Sequence, residues 1–288
     1  MGDCMYKIIS KKALNEYVCE MWVSSPLIAS KAKAGQFIIL RVSEDGERIP
    51  LTIAGVNKEK GTVRIIFQIV GATTYKLNKL NEGDYIHDFV GPLGNPTNLN
   101  GIKKAIVVGG GVGSAIALPI SCALNERGAN VTSIIGFRNK DLIILEDEFK
   151  NESDRLIVIT DDGSNGLKGN VTMPLKEILD KEKDIDMIIA IGPLIMMKFV
   201  TLTAKEYNIP VTVSMNPIMI DGTGMCGGCR LSLYKDGKKV IKFACIDGPD
   251  FNGYEIDFDE AISRSNEYKE FERKSYDEAC NLMAKEVK

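Results

Sequence analysis

Asp221-Gly-Thr-Gly-Met-Cys226-Gly-Gly-Cys229, followed after fifteen residues by Cys245, gathers three of the seven cysteines into one glycine-dense stretch. Thiolates three residues apart on a glycine-rich turn can point at one centre. Gly222, Gly224, Gly227 and Gly228 let backbone N–H groups turn toward the negative sulfurs. The spacing is that of a plant-type [2Fe–2S] loop, C-x4-C-x2-C with a distant fourth cysteine, with Asp221 where the first cysteine would stand. A carboxylate is a harder donor than a thiolate and still ligates iron, so Asp221, Cys226, Cys229 and Cys245 form the expected ligand set. Two other readings use the same residues. Three cysteines and a carboxylate suit a structural zinc, and Asp221 can be a plain turn residue while Cys280 or another cysteine completes the set.

Such a loop needs a scaffold, and the chain is long enough for two domains and a small third one. Its 44% hydrophobic and 26% charged residues are those of an ordinary globular protein, and a net charge of -3 with no block of like charge offers nothing to nucleic acid or an anionic membrane. The N-terminal residues show no secretory signal, and an odd number of cysteines, three of them grouped, suits a reducing compartment. The expected location is the cytoplasm. Ala105–Leu124 has no charge over twenty residues, but its glycines and Pro119 fit a buried strand, a turn and a buried helix better than a membrane span. His87, the one histidine, sits in an alternating run and reads as a sheet or surface residue.

The hydrophobic pattern changes period along the chain. Tyr17–Val23, Gln36–Val42, Thr62–Val70 and Tyr85–Val90 are short β-runs between turns and predict an antiparallel barrel. Apolar strands at Ala105–Val108, Val131–Ile135, Leu156–Ile159, Met187–Ile191 and Val211–Val213 alternate with helix-length segments and predict a parallel sheet with crossover helices. Leu231–Tyr234 and Val240–Ala244 around Asp236-Gly237 predict a hairpin that returns Cys245 to the loop. The expected division is a β-barrel over 1–98, an α/β domain over 99–218, a cluster module over 219–250 and a helical tail over 251–288.

Further positions have ligand-binding chemistry. In Arg48-Ile-Pro50-Leu51-Thr52-Ile53 the arginine suits a pyrophosphate and the threonine a flat ring along the same strand. Gly71-Ala-Thr73-Thr74 opens a short helix whose free N–H groups suit phosphate, and it reads equally as a Thr-capped helix. Gly109-Gly110-Gly111-Val-Gly113 lies between strand and helix, where a dinucleotide pyrophosphate meets backbone amides. After the next strand, Arg138 and Lys140 suit a 2′-phosphate and Asp141 a ribose hydroxyl, which leaves NAD and NADP both open. Thr160-Asp161-Asp162-Gly163 and Ile191-Gly192-Pro193 end strands on the same rim, the place for a nicotinamide.

These motifs, in this order, resemble the ferredoxin–NADP reductase superfamily, and most closely the small subunit of NADH-dependent ferredoxin:NADP oxidoreductase (sulfide dehydrogenase). The electron-transfer subunit of dihydroorotate dehydrogenase is a near relative, whose four cysteines contrast with Asp221 here. The resemblance implies an FAD-binding barrel held through Arg48, Thr52, Gly71, Thr73 and Thr74. It also implies an NAD(H) domain with Gly110, Gly111, Gly113 and Asp162 near the dinucleotide, and a [2Fe–2S] cluster. The implied partner is a large flavin- and [4Fe–4S]-containing subunit, through which ferredoxin is reached. Ile191 departs from the cysteine that many relatives carry before Gly-Pro. The expected activity is NAD(P)H-dependent electron transfer with bifurcation in the complex; a dihydroorotate dehydrogenase partner and a zinc-binding redox sensor are the alternatives.

Overall fold

The computed structural model describes residues 6–286, with side chains to residue 279. β1 (Tyr6–Ala13), β2 (Val18–Ser24), α1 (Pro26–Lys31), β3 (Phe37–Arg41), β4 (Arg48–Asn57), β5 (Thr62–Gln68), α2 (Ala72–Lys79), β6 (Tyr85–Ile86) and β7 (Asp88–Leu93) build the first unit. Its seven strands run antiparallel in the order β6-β1-β2-β5-β4-β3-β7. Alternate residues point inward, and Ile8, Met21, Ile38, Leu40, Ile65 and Phe67 fill one core. β1 has no counterpart in the sequence reading. Only Ile8 of its eight residues is buried, so its lysines mask the alternation. The run read as one strand over Tyr85–Val90 is two. β6 pairs with β1 and β7 with β3, at opposite ends of the sheet, so this short stretch folds the sheet into a half-barrel.

The second unit comprises β8 (Lys104–Gly110), α3 (Gly113–Asn125), β9 (Asn130–Phe137), α4 (Glu146–Glu152), β10 (Arg155–Thr160), α5 (Thr172–Lys181), β11 (Met187–Ile191), α6 (Leu194–Glu206) and β12 (Val211–Ser214). All five strands are parallel in the order β10-β9-β8-β11-β12. The uncharged Ala105–Leu124 stretch is β8, the glycine turn and most of α3. No described helix is long and apolar enough to cross a membrane.

The hairpin of β13 (Arg230–Lys235) and β14 (Lys238–Phe243) turns through Asp236 and Gly237, both at positive φ. A short α7 (Ala244–Asp247) follows, then β15 (Asp250–Asn252), α8 (Phe258–Asn266) and α9 (Lys269–Glu286). β15 pairs antiparallel with β12 and becomes the sixth strand of the second sheet, a return that the sequence division at 218 does not anticipate. The hairpin has no separate core. Cys229, Leu231, Leu233, Ala244 and Cys245 share one cluster with Ile188 and Val213 of the parallel sheet and with Phe37 and Ile39 of β3. Arg64 of β5 also joins the first two units, bonding Glu20 of β2 and, at 2.6 and 2.8 Å, both carboxylate oxygens of Glu148 on α4.

Candidate functional site: a dinucleotide cleft and a cysteine loop

Between half-barrel and parallel sheet lies a cleft of about 1510 Å³. β4 contributes Pro50, Leu51 and Thr52, and the start of α2 contributes Gly71, Thr73 and Thr74. The first-turn amides of a helix have no acceptor within the helix and suit phosphate. The Thr74 hydroxyl tightens this start by accepting from the Gly71 N–H at 3.0 Å and the Val70 N–H at 3.1 Å.

The opposite wall is the carboxyl rim of the parallel sheet. Strand order reverses between β8 and β11, which are neighbours in the sheet, and open α/β sheets bind ligands at such a point. Gly110, Gly111 and Gly113 line the cleft there beside Gly192 and Pro193. Gly113 is fixed by close packing: a Cβ on it would stand 2.5 Å from the Ile191 carbonyl oxygen and 2.7 Å from Gly192 Cα. Gly111 has φ +56° and open space before it. Arg138 lines the cleft from the end of β9, with Asn139.

Several residues singled out from sequence do not line it, Lys140 and Asp141 after β9 among them. Arg48, at the outer end of β4, reaches Asp88 at 3.8 Å, a carboxylate already bonded to Arg41 at 2.7 Å. Ile53 alternates inward and belongs to the half-barrel core. Asp162 accepts the Ser164 N–H at 2.9 Å and shapes its own turn, and the Ser164 hydroxyl together with that N–H holds its carboxyl below the usual range; Asp161 lines the cleft instead. Sequence reasoning also missed Glu47, Asn170 and Phe199, which carry no recognisable signal, and Met215, Asn216 and Met219, which follow β12. Phe271, Glu272 and Ser275 of α9 line the cleft too, although the tail reads from its sequence as a helix lying on the surface or on a partner.

The cysteine loop begins where that lining ends, with Met219 two residues before Asp221. Gly222, Gly224 and Gly227 take positive φ and curl the backbone inward. Both oxygens of Asp221 face the loop: Oδ1 accepts the Thr223 N–H at 3.0 Å, and Oδ2 accepts those of Met225 at 3.0 Å and Cys226 at 2.8 Å. These bonds, with the Cys226 thiol alongside, hold its carboxyl below the usual range. Cys229 and Cys245 are buried with their sulfurs 3.1 Å apart. Burial pushes the Cys245 thiol up to about 12, against an opposing hydrogen bond from the Gly224 backbone. Cys226 is exposed, and its sulfur accepts the Gly228 N–H at 3.5 Å.

The donors thus meet in pairs, Asp221 with Cys226 and Cys229 with Cys245. Among the described residues no three such side chains converge on one point. Paired donors among inward amides fit a two-iron centre, which takes two protein ligands at each iron. The side chain of Cys280 lies outside the described residues.

A curated protein of Thermotoga maritima, a dihydroorotate dehydrogenase B electron-transfer subunit homolog, is 48% identical over 96% of this chain and 96% of its own length. The electron-transfer subunit of dihydroorotate dehydrogenase B from Streptococcus pneumoniae strain R6 is 31% identical over 85% of this chain and 94% of its own. The chain belongs to this family of electron-transfer subunits. The family's iron–sulfur cluster binding domain matches residues 216–257, which span the whole loop and set the zinc reading aside. A solved structure of NADH-dependent reduced ferredoxin–NADP oxidoreductase, described for its insights into flavin-based electron bifurcation, superposes with a TM-score of 0.88 at 46% identity. The match covers 96% of this chain and 99% of that one. The resemblance to the ferredoxin–NADP reductase superfamily drawn from the motifs therefore holds, and as a member of the family the chain is an electron-transfer subunit.

Proposed function

We propose that the chain is the FAD- and [2Fe–2S]-containing subunit that exchanges electrons with NAD(H) in a ferredoxin:NAD(P) oxidoreductase, working beside a larger flavin- and iron–sulfur-containing partner in a bifurcating complex. The observation that carries this reading is the single cleft lined by both the β4 and α2 residues and the glycine rim, with the cysteine loop rooted in its wall.

When bound, FAD exchanges a hydride with nicotinamide and single electrons with the cluster; no side chain need act as acid or base. The residues supply position. Pro50, Leu51 and Thr52 offer an edge along β4 for a flat ring, while the α2 start takes a diphosphate. Gly110, Gly111 and Gly113 admit the second dinucleotide close to the backbone, and Pro193 and Met196 close the site around a nicotinamide. Arg138 meets the adenosine side of that nucleotide. Arg48 serves the FAD phosphates by leaving Asp88, a short move for a half-exposed side chain. Asp221 with Cys226, and Cys229 with Cys245, hold the two irons.

Around the loop, Met225 is 88% exposed, and Ile218, Ile220 and Ile246 are each about half exposed. An apolar surface of this kind beside a redox loop suits burial against the partner. The dihydroorotate dehydrogenase B names of the curated relatives favour a second reading, in which that partner is a dihydroorotate dehydrogenase. The large subunit that copurifies distinguishes the two.

Anaerobic purification followed by absorption spectroscopy and cofactor analysis tests the proposal. One FAD and two irons per chain, with bleaching on addition of NADH, are expected. A colourless chain without iron under rigorous exclusion of oxygen overturns it.

A further inference from the structure

The chain does not end at the cluster module, and the place where its last two helices lie adds a wall to the cleft. α8 packs on α6 of the second unit and on β13, whereas α9 packs on α2 of the half-barrel. The segment therefore straps one side of the cleft to the other. Tyr276 of α9 meets Tyr75 of α2 edge to face, with ring centroids 5.7 Å apart, and Ala279 is buried. One turn back from this seam, Phe271, Glu272 and Ser275 line the cleft. Lys269, Glu270, Arg273 and Lys274 are exposed and do not line it.

Phe271 is 70% exposed although it lines the cleft, and Ile195 and Phe199 on α6 are also more than half exposed there. Isolated apolar residues on a surface call for no explanation, but three on the rim of one cleft mark a place that a flat ligand covers. A dinucleotide has two flat ends and its phosphates between them. With the diphosphate at the start of α2 and one ring along β4, α9, which packs on α2 and lines the same cleft, is the wall available to the other end.

We propose that α9 forms the adenosine subsite for FAD: Phe271 stacks on the adenine, and Glu272 and Ser275 accept hydrogen bonds from its amino group or from the ribose hydroxyls. Glu272 suits this end of the ligand and not the phosphates, since a carboxylate attracts N–H and O–H donors and repels phosphate oxygens. The inference rests on the flavin reading of the cleft given above.

The test uses the full-length chain stripped of flavin and titrated with FAD and with FMN, which lacks adenosine, following flavin fluorescence. Phe271→Ala is expected to weaken FAD binding roughly tenfold, in line with the loss of one aromatic stacking partner. FMN affinity, and the NADH affinity of FAD-saturated protein, stay at wild-type values, and Phe271→Tyr restores FAD binding. Because Phe271 is largely exposed, its loss leaves the core intact. FAD affinity unchanged within about twofold, or FMN affinity falling in step with it, overturns the subsite. A wild-type chain that takes up neither flavin overturns the underlying reading instead.

Discussion

Asp221 shows how one side chain can serve two ends. Its carboxylate accepts three backbone N–H groups and so shapes the loop, beside the ligand role proposed for it. A cysteine there cannot replace all three bonds but offers a softer donor. Asp221→Cys is therefore expected to retain a [2Fe–2S] absorption spectrum with altered EPR g-values and reduction potential; an unaltered EPR spectrum would remove Asp221 from the ligand set. Asp250 makes a different case. Its carboxyl lies inside, with Oδ2 accepting from the Thr97 hydroxyl at 2.6 Å, and burial raises its pKa against the opposing Thr97 and Ser214 hydroxyls. The folded chain thus holds a proton that the unfolded chain releases above its ordinary carboxylate pKa, and stability falls as pH rises from there toward the folded value. Asp250→Asn should flatten that slope and be at least as stable as wild type at neutral pH, measured by urea unfolding at pH 5, 6 and 7. Residue types and spacings made the cysteines, the glycines and the threonines of the cleft legible in advance. That Arg48, Ile53 and Asp162 stand off the cleft wall could not be read in advance because direction is not a property of composition: a salt bridge, a strand's alternation and a turn's own hydrogen bond set where each side chain points.

At the level of elements, strand periodicity gave the parallel sheet nearly to the residue, since buried strands are continuous apolar runs. It failed for β1, whose lysine-rich face hides a single buried isoleucine, and for β15, whose three residues are too few to show a period. Both owe their pairing to tertiary contacts: β1 to β2 and β6, β15 to β12. The strand reversal at β8 and β11 leaves no room for error where their loops touch. Gly113→Ala places a methyl against the Ile191 carbonyl and should cost about 1–3 kcal/mol of stability. It should also weaken NADH binding while leaving flavin content intact. Denaturant unfolding and a nucleotide titration check the two effects, and an unchanged NADH affinity would mean that the second dinucleotide does not use this turn.

Over the whole molecule, the units are tied by burial and by one ion-pair network. Arg64 is 11% exposed between Glu20, itself 12% exposed, and Glu148, 45% exposed. Arg64→Met leaves Glu20 buried without its cation and should cost about 1–3 kcal/mol, less than a fully buried pair because Glu148 is half solvated. A fall in the thermal midpoint reads this loss, and Glu20→Gln in the same background should recover part of it. The continuous core has its own corollary. Residues 216–257 expressed alone lack the Phe37, Ile39, Ile188 and Val213 surfaces on which the hairpin packs, and are expected to give the far-ultraviolet circular dichroism of an unfolded peptide.

Gly222 rests against Leu93 and Ile39, so the loop that carries the cysteines leans on strands that precede it by more than a hundred residues. Assembly of a metal centre in this loop is then expected to follow closure of the half-barrel. A cell short of iron would accumulate a chain whose two large units are already shaped and whose empty thiol pocket is waiting, not a tangled precursor.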